Sequence, residues 1–154
     1  MSRRFAWIVA GVMLIGLGGC QRGRSDEPGI ARGLIDLELA LMRSVGTAKL
    51  AGDPTRTSQP WPCHSEDRHG FMLNYNAKAE APGVTVRTVL QFWRSLGYRV
   101  EVDRSTDAKR PEAIVGGSLI ELSVHGYPDR GEVWISGNTV CLPGEVPNSW
   151  RDVL

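Results

Sequence analysis

Between residues 30 and 50 the apolar side chains Ile30, Leu34, Leu37, Leu41, Val45 and Ala48 return at spacings of three and four. From Phe71 onward they return every second residue, with Phe71, Leu73, Tyr75, Ala77 and Ala79 alternating against Met72, Asn74, Asn76 and Lys78. That change of period constrains the fold more than any other feature. The first pattern lays one apolar stripe along a helix over residues 34–50, and the second suits a strand with one buried side. The helical period returns at Val86, Val89, Leu90, Trp93 and Leu96, just before Gly97, a residue fitted to the left-handed turn that ends helices. Tyr98, Val100 and Val102 then alternate with Arg99, Glu101 and Asp103, and Ile120, Leu122 and Val124 lead through a turn at 126–131 into Val133 and Ile135. The proline-rich stretch 52–63 reads as a crossing segment, and 107–111 as loop. The order helix, strand, helix, strand, hairpin predicts an α+β two-layer sandwich, a mostly antiparallel sheet with both helices on one face.

The chain opens with Arg3 and Arg4 and then runs from Phe5 to Leu17 without a charge. A basic start followed by an apolar run shorter than the roughly 20 residues that span a bilayer reads as a secretory leader, not a stable membrane helix. The run ends in Leu17, Gly18, Gly19 and Cys20. This tetrapeptide resembles the lipobox of bacterial lipoproteins, in which an aliphatic and two small residues precede a lipid-modified cysteine. The resemblance implies that residues 1–19 are a signal peptide removed on export and that Cys20 carries the lipid. It also implies a domain tethered to the cell membrane on its extracytoplasmic side. Acyl chains anchor at about 0.8 kcal/mol per buried CH₂, so such a tether needs no spanning helix. Residues 20–33, polar and rich in breakers after the cysteine, read as a flexible stalk, and 34–154 as a single domain. The layout from the lipobox through Trp61, Pro62 and Cys63 and through Phe92, Trp93, Gly97 and Tyr98 to a late cysteine is similar to small actinobacterial cell-envelope lipoproteins of uncharacterised function. That similarity implies place and architecture, and it brings no catalytic residues.

Removing residues 1–19 leaves 135 of the 154 residues, enough for one domain with a real core. It also leaves 16 of the 18 basic residues against 17 acidic ones, a balance with no electrostatic footprint for nucleic acid. With Cys20 lipidated, Cys63 and Cys141 are the two thiols left, and in an oxidising compartment they are expected to pair. A competing metal site would draw on Cys63, His64, His69 and Cys141. A compact ligand pair such as C-x-x-C is missing, so neither a metal nor any other cofactor is expected.

Gly116, Gly117 and Ser118 form a turn more simply than a nucleophile elbow. Ser65, Asp67 and His69 offer a hydroxyl, a carboxylate and an imidazole, yet neighbours in sequence rarely face one another as a triad does. Glu101 and Glu121 could lie on adjacent strands as glycosidase carboxylates do, although charge pairing with arginine accounts for such residues more simply. No catalytic residue is assigned. The period of two places Asn74, Asn76, Arg99, Glu101, Glu121, Ser123, His125, Glu132 and Trp134 on the sheet face away from the helices. Trp134, His125, Arg99, Glu101 and Glu121 are the candidate binding residues there, since an exposed tryptophan near arginine is a mix enriched at binding hot spots. The expected function is a membrane-anchored, non-catalytic envelope module whose partner is a small ligand or another envelope protein. The alternatives are an envelope enzyme acting on cell-wall material and a purely structural role.

Overall fold

A computed structural model describes residues 27–147. The leader, Cys20, residues 21–26 and the tail from 148 lie outside the described residues. Helix α1 spans Ile30–Thr47, so residues 30–33 belong to the helix and not to the stalk. Its stripe of Ile30, Leu34, Leu37 and Leu41 is fully buried, at roughly 1.5–3 kcal/mol per side chain. The helix also carries a second apolar line that the one-stripe reading lacks: Ile35, Leu39 and Met42 stay exposed on the opposite side. Strand β1 (Thr55–Trp61) follows, then β2 (Arg68–Lys78) and α2 (Pro82–Ser95). In α2, Pro82 opens the first turn and Val86, Val89, Leu90 and Trp93 are buried. Leu96 is 47% exposed beyond the helix end, against the expectation that it completes the stripe. Gly97 takes φ +82°, the left-handed residue the sequence required there.

The remaining strands are β3 (Arg99–Asp103), β4 (Glu112–Gly116), β5 (Ile120–Tyr127), β6 (Glu132–Thr139) and the short β7 (Leu142–Pro143). They form one antiparallel sheet in the order β1-β2-β6-β5-β4-β3, with β7 paired to the start of β2. The fold is α+β, two helices on a seven-stranded sheet. Both helices lie on one face: α1 over β2 and β6, α2 over β5 and β4. They are tied together where the buried Trp93 donates its indole N–H to Ser44 Oγ at 2.8 Å. Among the described residues no helix is long and apolar enough to cross a membrane.

Three strands depart from the expectation. Residues 55–61 form β1 and not an irregular crossing; their side chains are almost all exposed, so no apolar alternation marks them. Pro60 is tolerated because β1 is an edge strand, where a missing N–H breaks no ladder. Strand β4 is short, with a glutamate at one end and a glycine at the other, yet Ala113 and Val115 are completely buried. In β3 the pairing with β4 shifts between Val100 and Val102, so that Val100 lies opposite Val115 but Val102 opposite Ile114. This bulge reverses the alternation. Val102, expected to face the helices, stands on the far face beside Ile114, while Asp103 turns to the helix side and bonds Arg94 of α2 at 2.6 Å.

The expected disulfide is present: Cys63 and Cys141 are bonded, with Cα atoms 5.9 Å apart and a sequence separation of 78. It joins the loop after β1 to the loop before β7. Arg68 reinforces this corner, donating from Nε to the Cys141 carbonyl at 2.9 Å and pairing with Glu27.

Candidate functional site

Because both helices pack on one side, the other face of the sheet carries no layer among the described residues. Strand register arranges its side chains in rows. One row runs Thr55, Asn76, Trp134, His125, Glu112. The next runs Thr57, Asn74, Ser136, Ser123, Ile114. A third includes Asn138, Glu121, Gly116 and Arg99.

The five candidate residues therefore share a face but not a place. Trp134 and His125 are direct cross-strand neighbours, the indole 38% exposed. Arg99, Glu101 and Glu121 sit two rows away, about 13 Å along the strands at the usual rise per residue. There Arg99 bonds Glu101 at 2.6 Å, both side chains lying across Gly116, where a Cβ would collide with Glu101. That pair neutralises itself.

The Trp134 end is richer than the sequence suggested. Tyr127 packs against Trp134 with ring centroids 5.3 Å apart and a 57° tilt, and the Arg130 guanidinium lies 4.1 Å over the Tyr127 ring and 5.9 Å from that of Trp134. His125 Nδ1 is 3.6 Å from Glu112 Oε1, and Arg104 approaches the same carboxylate at 3.5 Å. Glu132 bonds Lys78 at 2.9 Å; this ammonium contact holds its carboxyl below the usual glutamate range, so it stays ionised and is no proton donor. Of these groups Arg104, Glu112, His125, Tyr127 and Arg130 line a cleft of about 920 Å³ between the β3–β4 loop and the β5–β6 turn. Four cations line it, Arg104, Lys109, Arg110 and Arg130, against the carboxylates Glu112 and Asp129. Glu112 escaped the sequence reading because β4 did. Tyr127 and Arg130 escaped it because 126–131 was assigned only as a turn; the β-favouring Tyr127 just after His125 was the available signal.

The other chemical candidates are not assembled. The Ser65 hydroxyl bonds Asp67, which lowers the pKa of that carboxylate, but His69 stands on β2 opposite Leu142. Both thiols of the possible metal set are consumed by the disulfide. Among the described residues no three His, Cys, Asp or Glu side chains gather as metal ligands. Gly116 ends β4 and Gly117 turns the chain, its N–H donating to the Ile120 carbonyl at 2.8 Å. No family model, curated protein or solved structure matches this chain.

Proposed function

We propose that the chain is a cell-envelope lipoprotein, anchored by lipid on Cys20 outside the cytoplasm, whose domain is a non-catalytic binding module. The observation that carries the binding reading is the sheet face opposite the helices, where Trp134 packs on Tyr127 and pairs with His125, two residues that line the cationic cleft. Large aromatic side chains beside polar groups, at a concave edge, are the usual makings of a recognition surface. Glu132 and Glu112 are each engaged by a cation, which supports recognition over proton transfer at those two carboxylates. The Cys63–Cys141 bond supports an oxidising compartment.

Two experiments test the two halves. In the native host, Cys20→Ser should accumulate as uncleaved precursor or escape to the medium, and a normally processed, detergent-phase variant would end the anchor reading. For the binding half, Trp134→Ala is assayed together for thermal stability and for partner capture from crosslinked membranes. Capture should fall while the melting temperature barely moves. A large loss of stability, or unchanged capture, would remove Trp134 from the proposed surface.

A further inference from the structure

We infer that the ligand of the open face is an acidic saccharide, a polyhydroxyl chain bearing carboxylate or phosphate groups, an inference that rests on the binding reading above. The rows beside Trp134 carry Asn74, Asn76, Asn138, Ser123 and Ser136, all half-buried. Among the described residues none of these five side chains makes a hydrogen bond to protein, whereas the charged groups around them are mostly paired. An amide or hydroxyl both donates and accepts, which matches a ligand whose own hydroxyls do the same; a carboxylate or ammonium could serve only one direction. Strand spacing of about 4.8 Å and a side-chain repeat of about 6.7 Å set these groups on a grid of roughly one sugar ring.

Trp134 supplies what the amides lack. The residue is 38% exposed, and the face of an aromatic ring is the negative part of its quadrupole, which attracts the polarised C–H groups on the flat side of a pyranose. Tyr127 and Arg130 hold that indole from one side. At the end of the same row the cleft changes the chemistry from neutral to cationic. The side chains of Lys109 and Arg110 have no hydrogen bond or ion pair among the described residues, and Arg104 is only loosely held by Glu112. Guanidinium groups there can take a carboxylate or phosphate with two parallel hydrogen bonds. A nucleic acid would need cations across the whole face, where Glu101, Glu121 and Glu132 stand instead. A neutral sugar would leave the cleft unanswered. The arrangement suits a chain with rings over the amides and its acid group in the cleft.

The test titrates the full chain, isotope-labelled and purified in detergent, with three probes: an oligogalacturonate, a neutral malto-oligosaccharide of the same length, and inorganic phosphate. Amide resonances of residues 74, 76, 123, 134 and 136 and those lining the cleft should shift together with the acidic oligosaccharide. Its affinity should exceed that of either other probe by about tenfold or more and weaken with salt. A phosphorylated sugar run in parallel distinguishes carboxylate from phosphate as the acid group; binding of either supports the class. The double variant K109E/R110E, on exposed loop positions, should cost about tenfold in affinity for the acidic chain and leave the malto-oligosaccharide response unchanged. Shifts confined to the cleft with phosphate binding as tightly as the saccharides would overturn the inference, as would no shift with any sugar. In that last case, retained partner capture that still depends on Trp134 would leave the binding face standing and only the ligand class refuted.

Discussion

The two faces of the sheet are made by the same strands from alternating residues, and they have been built to opposite ends. On the helix side one row reads Leu73, Gly137, Leu122, Val115, Val100, and each member packs into α1, α2 or its neighbours. On the other side the adjacent row reads Thr57, Asn74, Ser136, Ser123, Ile114, half-buried or exposed and rich in unspent hydrogen-bonding capacity. One face gains its energy from removing surface from water. The other keeps its groups wet, and contributes little to holding the chain together. Mutations a single residue apart should therefore have effects of different size and kind.

The sharpest contrast is Trp93→Ala, which empties the largest fully buried side chain and removes the bond that Ser44 Oγ accepts; unfolding in denaturant should show a loss of about 3–5 kcal/mol. A loss below about 1 kcal/mol would mean that the helix layer is not what stabilises the sheet. Replacing Cys63 and Cys141 together by Ala should cost about 2–5 kcal/mol, read from the shift in denaturation midpoint of oxidised wild type against the variant. Next comes a pair of neighbours on β6. At Gly137 a Cβ would meet Leu37 at 2.7 Å and the Glu121 carbonyl at 2.9 Å, so Gly137→Ala should cost about 1–3 kcal/mol. Ser136→Ala, on the open face, should stay within about 0.5 kcal/mol. Equal values at the two positions would break the distinction between the faces.

The smallest effect belongs to Asp103, which the bulge carries to the helix side. The Ser105 hydroxyl and backbone N–H, then Arg94, hold its pKa below the usual aspartate value. A depressed folded pKa contributes stability above the unfolded value of about 3.9 and loses it as pH falls through the folded one. The side chain is 37% exposed, so Asp103→Asn should cost only a few tenths of a kcal/mol at neutral pH. The difference from wild type should vanish in acid; a difference that persists there would assign the effect to something other than the charge.

Where burial writes a period into the chain, the sequence could be read. Leu34, Leu37 and Leu41, the alternation from Phe71 and from Ile120, and Gly97 at its helix end all reflect contacts with the core. The elements that went unread carry too little apolar pattern to be recognised. Strand β1 shows almost nothing but exposed side chains and holds a proline, and β4 spends two of its five residues on Glu112 and Gly116. The bulge in β3 is a property of pairing between strands, and no local pattern at Val100–Val102 announces it. The same logic divides the candidate site. The open face was legible because a period of two fixes which residues share it, but a shared face is not proximity. Only register, which depends on finding β4, joins His125 to Glu112 and parts both from Arg99 and Glu101.

The order of strands has a consequence for how the chain reaches this structure. Strands β3 to β6 form a meander whose turns are local, so each can close as soon as its two strands exist. The middle of the sheet is different: β2 pairs with β6, bringing Met72 against Asn138 and Lys78 against Glu132 across much of the sequence. Loop closure over that distance precedes any reward from the contacts, and topologies rich in such pairings fold in milliseconds to seconds. During that interval the meander holds Val133 and Ile135 at an unpaired β6 edge, waiting for β2. The moment of greatest aggregation risk thus falls late, after the C-terminal half has formed and before the N-terminal hairpin docks.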